Sequence, residues 1–304
     1  MAAICNITDL ITPEPMTFDR RFLLSSATPS KYRVLRTLIG SVSIEHSTIG
    51  TQFTQNVDYL SKVYEFKPEV SVQERLVNYI SEDLTLDDAR RFFFDIPYSI
   101  RNKDFFQRFE NEVLNYLYYQ NKKSFTTAYV YIYRILELIS FSFPLIYASK
   151  TYDFKHTFNA LKEFYENNKG ANSGELGFLK SAVYSMFKDH DFLTTSVDIE
   201  LDFEDEETQS IIYNAIYNVT KPDFYHTDTI DNRRLAIKFG EVSSFIASLR
   251  NRFFHLFNRG DKNLESSDLI DSDMFFSKIN DPLFGWLSVL YLEVIRFSIG
   301  EVSP

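Results

Sequence analysis

Between Leu235 and Leu256 apolar side chains return at helical intervals: Leu235, Phe239, Val242, Phe245, Ile246, Leu249, Phe253 and Leu256. The segment therefore reads as one long amphipathic helix, from about Asp228 to Gly260, that must bury one face. Gly260 stands where a C-terminal cap belongs. A run of this length needs other helices to cover it, and the rest of the chain supplies them. Glycine and proline number only nine each in 304 residues, which leaves few sharp turns and favours a helical protein. Thirty Phe and nineteen Tyr provide an aromatic core. The expected fold class is all-α, a multi-helix bundle.

Taken in order, residues 1–30 are weakly patterned and broken by Pro13, Pro15 and Pro29, with a short strand at Arg21 to Leu24. Tyr32 to Ile39 has a helical pattern, while Ser41 to Glu45 alternates like a strand. Helices follow at Gln55 to Phe66, at Val72 to Glu82 behind Ser71, in a short element headed by Thr85, and at Asn102 to Lys122. Ser124 opens an aromatic-rich helix, with further helices at Asp153 to Asn168, Glu175 to Asp189 and Glu204 to Val219. Asp261 to Asp273 reads as a polar loop, with Asp273 capping a last apolar helix and Asp281-Pro282 kinking or interrupting it. We divide the chain into a mostly helical N-terminal region, 1–123, and a second helical domain, 124–304.

Several chemistries find no support. The single Cys5 cannot form an internal disulfide or a cysteine metal cluster, which suits a reducing cytoplasm. No basic stretch leading into an apolar run opens the chain, so no signal peptide is expected. Thr126 to Ser149 is the most apolar run, yet it carries Arg134, Glu137 and Pro144 and reads as a buried helix rather than a membrane span. The glycines between Gly170 and Gly177 lack the Lys-Ser/Thr of a phosphate-cradling loop. The five histidines never stand at metal-ligand spacing from one another. No cofactor and no metal are expected.

The polar residues of the long helix carry the functional signal. Asn251 and His255, four apart, share a face with Ser244, Ser248 and Asn258 opposite the apolar stripe, and Arg250 lies on the flank. Arg250-Asn251-x-x-x-His255 resembles the Arg-polar-x-x-x-His motif of the HEPN superfamily of ribonucleases. The likeness covers about 124–300, with the aromatic helix Thr126 to Glu137 before the motif and the apolar helix Phe275 to Ile299 after it. The resemblance implies an α-helical domain that dimerises, so that two motifs form one RNA-cleaving site. It implies Arg250, Asn251 and His255 as catalytic residues, and a bacterial antiviral or toxin-type setting in the cytoplasm. Histidine titrates near neutrality and can move the proton of a ribose 2′-hydroxyl, and arginine can hold the scissile phosphate. On this reading Arg252 and Arg259 bind substrate. Glu137 orients Arg250, or else pairs with Arg134 three residues away.

The charge balance supports a rival reading. The net charge is −10, against the basic surface of most RNA-binding proteins. Much of the excess is local, in Asp198 to Glu207 and in Asp261 to Asp273, and the run Asp202 to Glu207 reads as solvated. Arg233, Arg234, Lys238, Arg250, Arg252 and Arg259 gather on the motif helix as a basic patch. The alternative is a non-enzymatic helical module that docks a protein partner through its aromatic and acidic surface, with an exposed Phe254 in the seam. A regulatory protein partner is compatible with either reading.

Overall fold

The computed structural model describes residues 5–10, 20–47, 50–61, 72–80, 84–148, 154–166, 175–203, 205–226, 233–254 and 263–300. Among them the chain is mostly helical, with ten α-helices and two small antiparallel sheets. It divides into two units, 1–122 with 287–304, and 123–286. The last helix, α10 (Ser272–Gly300), has its first half in the second unit and the part from Leu287 onward in the first.

In the first unit, β1 (Cys5–Asp9), β2 (Val42–His46) and β3 (Gln52–Gln55) form a sheet in that order. Ile7 faces Ile44, which faces Phe53, and all three are buried. The chain enters β2 from α1 (Ser30–Ile39) through Gly40. Gly40 has φ +84°, and a Cβ there would lie 2.8 Å from the Val57 carbonyl oxygen, so only glycine fits. The strand proposed at Arg21 to Leu24 is instead a 3-10 turn, Arg20–Phe22, that drives Phe22 into the core. The helix proposed from Gln55 does not start there. Gln55 ends β3, and Asp58 holds the turn that follows by accepting from Leu60 N, Arg75 Nη1 and Tyr79 Oη. Those partners lie on α2 (Val72–Ile80), apart from Leu60. Ser71 lies outside the described residues.

Thr85 caps α3 (Leu86–Phe94) in a reciprocal box with Asp88. α4 (Lys103–Asn121) packs along α1. Tyr32 sits at the centre of this core, edge-on to Phe22, Phe93 and Phe94, with its hydroxyl donating to the Phe22 carbonyl at 2.8 Å. Two buried ion pairs brace the same helix: Arg33 grips Glu110 of α4 through two nitrogens, and Arg36 meets Asp9 of β1. Losing one member of such a pair leaves a buried charge uncompensated, at a cost of about 3–5 kcal/mol.

In the second unit α5 (Phe125–Ala148) packs against α7 (Glu175–Met186), with α6 (Phe154–Glu166) beside them. The start of α5 is tied to α10, since Asp273 Oδ1 accepts from Thr126 N at 2.6 Å and Asn280 Nδ2 donates to the Phe125 carbonyl at 2.9 Å. Asp273 was expected to cap its own helix, α10. Asp271 serves that end instead, accepting from Met274 N, and Asp273 caps its spatial neighbour. Pro282 lies within α10, which runs on through it rather than being interrupted.

The long motif helix requires a larger correction. Its first half is strand β5 (Arg234–Lys238), paired antiparallel with β4 (Ser196–Glu200), with Ile199 opposite Leu235 and Val197 opposite Ile237. A short turn at Phe239–Glu241 leads into α9 (Val242–Phe254). α8 (Glu206–Val219) completes the unit, capped by Asp205, whose side chain accepts from Thr208 N at 2.8 Å. Two helices, α5 and α10, are long and apolar enough to cross a membrane by length and composition, and more than half of each such span is buried in the fold.

Candidate functional site

α9 keeps one face in the core. Val242, Phe245, Ile246 and Leu249 are buried, while Ser244, Ser248 and Asn251 are partly exposed. Ser243 departs from this division and is buried too. Arg250 sits on the flank, half-buried, with its guanidinium 4.5 Å from the centre of the Tyr133 ring of α5. Its Nη1 donates to Asn251 Oδ1 at 3.0 Å. The ring supplies a negative face to the cation and the amide oxygen fixes the plane of the fork.

Tyr129, Tyr133 and Glu137 are four apart along α5 and share one face. Tyr129 is fully buried, and its hydroxyl donates to the Ile246 carbonyl of α9 at 2.8 Å, which locks the two helices together. Tyr133 reaches further out. Burial raises its phenol pKa most, the charge of Glu137 raises it next, Arg250 opposes them, and a hydrogen bond to Glu137 adds to the rise. The phenol therefore stays protonated and donates to Glu137. Tyr133 thus touches both groups, Glu137 through its hydroxyl and Arg250 through its ring. Sequence reasoning named Glu137 and missed Tyr133. The available signal was the four-residue spacing of Tyr129, Tyr133 and Glu137. The side chain of Arg134 lies over the Tyr131 ring at 6.0 Å.

The end of α9 is framed by aromatics. Phe254 is 37% exposed and lies parallel to the Tyr129 ring at 6.2 Å, with Phe276 of α10 beside both. Arg252 is partly exposed, and its carbonyl accepts from Leu264 N at 3.0 Å. His255 and Arg259 lie outside the described residues, as does the proposed cap Gly260. The structure thus brings together Arg250, Asn251, Tyr133 and Glu137, with Arg252 two residues on from Arg250 and on another side of the same helix.

The expected basic patch is not a feature of α9. Arg234 pairs with Asp198 across the β4–β5 ladder at 3.1 Å, Arg233 pairs with Glu206 at 3.2 Å, and Lys238 Nζ donates to the Asp223 carbonyl. Two of the six bases, Arg234 and Lys238, lie in the strand, and Arg233 lies just before it. The acidic run is exposed, as expected, and two of its members also make local bonds. Asp202 meets Lys278 at 2.5 Å, which holds its carboxyl below the usual range, and the N-cap bond from Thr208 does the same for Asp205. Among the described residues no three His, Cys, Asp or Glu side chains converge as a metal site. Comparison with known protein families, curated proteins and solved structures finds no match.

Proposed function

We propose that the chain is a metal-independent endoribonuclease of the HEPN type, acting as a homodimer on RNA in the cytoplasm, in a bacterial antiviral or toxin-type system. The reading rests on one observation above the others: Arg250, five residues before His255 in the sequence, is held by Tyr133 and Asn251 on a helix whose opposite face is core. In this mechanism His255 takes the proton of the ribose 2′-hydroxyl. The 2′-oxygen attacks the adjacent phosphorus, and the 5′-oxygen leaves with a proton. Arg250 holds the non-bridging oxygens as charge builds on them. The products carry a 2′,3′-cyclic phosphate and a 5′-hydroxyl, and DNA is not cut. A two-fold axis beside α9 would give the site a second His255 to serve as acid.

The test is cleavage of mixed RNA by the purified protein in excess EDTA, with analysis of the ends. Cyclic-phosphate ends from wild type, and none from Arg250→Ala or His255→Ala with unchanged circular dichroism, are expected. Full activity in either variant removes the site assignment. A second reading, a protein-docking module, is favoured by the exposed Phe254 ring and the net charge of −10. It predicts that Phe254→Asp breaks assembly while His255→Ala changes nothing.

A further inference from the structure

Among the described residues β4 has one neighbouring strand, β5. The ladder fixes which main-chain groups of β4 are used. Phe239 N donates to the Thr195 carbonyl at 3.2 Å, and Leu201 N donates to the Arg233 carbonyl at 2.7 Å, one at each end of the pair. Antiparallel partners alternate between pairs that exchange bonds and pairs that do not. In this register Val197 and Ile199 exchange bonds with Ile237 and Leu235. The N–H and C=O groups of Ser196, Asp198 and Glu200 then point away from β5, along an edge that is free among the described residues. The far side of β5 differs. It is closed where His226 N donates to the Ala236 carbonyl at 3.1 Å and Tyr225 bridges to Ile237.

The side chains define the strand that fits this edge. Ser196, Asp198 and Glu200 share one face of the sheet, where Ser196 Oγ donates to Asp198 Oδ1 at 2.6 Å and both acids are exposed. Facing them on β5 are Lys238, Ala236 and Arg234, with Arg234 paired to Asp198 at 3.1 Å. On this face β5 is therefore basic and β4 acidic. Opposite charges stabilise neighbouring strands and like charges oppose them, so the free side of β4 calls for a basic strand. A second copy of β4 does not fit, because it would set acids beside acids. The other face carries Ile199, buried, and Val197, half-buried, so an apolar residue on the added strand can cover Val197.

We propose that the β4 edge docks an extended segment of a partner protein in which Lys or Arg alternates with apolar residues. The segment adds to the sheet as a third strand. Main-chain bonds to the outward groups of Asp198 and Glu200 attach it, and its cations beside the two carboxylates select it. Strands without that charge are kept off by the same acids. The site lies within the second unit and does not depend on the nuclease reading.

The test uses the full-length protein and a fluorescent peptide of about eight residues in which Lys and Val alternate. Anisotropy should show saturable binding, several-fold weaker to Glu200→Gln and absent for a Glu-Val peptide of the same length. Glu200 is exposed, so its variant leaves the core untouched. A Lys-Val peptide methylated on its main-chain nitrogens keeps the charge but loses the donors, and should not bind. Bound peptide should also slow hydrogen exchange at the Asp198 and Glu200 amides at least tenfold. Binding without that slowing, or equal binding of the methylated peptide, reduces the effect to charge attraction and overturns the proposal. So does the absence of binding up to about 1 mM. Slow exchange at those amides in the free protein, lost on dilution, would assign the edge to a second copy and overturn it as well.

Discussion

Lys31→Met should stabilise the protein at neutral pH, and the gain should vanish in alkali. Burial, with a smaller contribution from the charge of Arg101, pulls the Lys31 amine from its usual 10.5 down to about 7. The unfolded chain therefore binds a proton here that the folded chain binds far more weakly. Between pH 7 and 10.5 the folded state carries fewer protons than the unfolded one, so stability rises with pH across that window. The penalty is complete below the folded value and absent above the unfolded one. At about 1.4 kcal/mol per pH unit it amounts to roughly 4 kcal/mol at pH 7. Methionine keeps the packing of the stem without the charge. It gives up the bond from the amine to the Tyr98 carbonyl, worth about 1 kcal/mol. The variant should then be more stable than wild type by about 3 kcal/mol at pH 7 and less stable by about 1 kcal/mol above pH 10.5. Urea unfolding followed by far-ultraviolet circular dichroism, on both proteins between about pH 6 and 11, measures the difference. A difference that stays flat with pH, or a variant less stable at neutrality, would refute the reasoning.

Two further outcomes test other parts of the structure. Tyr133→Leu removes the ring beneath Arg250 and, on the nuclease reading, should lower the RNA cleavage rate about tenfold, the equivalent of one cation–π contact. Tyr133→Phe keeps the ring and should restore most of that rate, while wild-type activity in the leucine variant would deny the ring a positioning role. Gly240→Ala should cost about 1–3 kcal/mol in thermal or urea unfolding, since a Cβ there would lie 2.5 Å from the Tyr184 ring carbon Cζ. Adding Tyr184→Ala should recover part of that loss, and an unchanged midpoint in the single variant would show that the ring simply moves aside.

Most helices were legible because each carries its own period and its own start signal. Thr85 with Asp88, and the acidic residues before α8, are local features that announce a helix without reference to the rest of the chain. Of the strands, only β2 was legible, from the alternation of Ser41 to Glu45. Leu235, Phe239 and Val242 keep helical spacing across a real strand–turn–helix boundary, so β5 passed for the first turns of α9. What makes Arg234 to Lys238 a strand is its partner β4, more than thirty residues earlier, and no periodicity within the segment encodes that pairing. β1 has the same problem with β2. Asp58 looked like a helix residue because nothing near it in sequence marks Arg75 and Tyr79 as its partners. At the candidate site Arg250 and Asn251 could be read from one helix, but the ring that holds Arg250 comes from another.

The strand correction also changes the electrostatic case for RNA. A patch of six bases along one helix would have gripped several phosphates, with affinity falling steeply as salt releases bound counterions. Arg233, Arg234 and Lys238 are instead engaged by Glu206, Asp198 and the Asp223 carbonyl. Among the described residues α9 itself offers Arg250 and Arg252. Of these, Arg250 sits against an aromatic face with its plane fixed, which suits gripping one phosphate in one orientation more than drawing in a polyanion from a distance. On the nuclease reading, recognition then depends on the shape of the RNA or on a second copy of the site rather than on a broad basic surface. A net charge of −10 is compatible with that kind of enzyme, because the charge that matters to the reaction is the one placed beside the scissile phosphate.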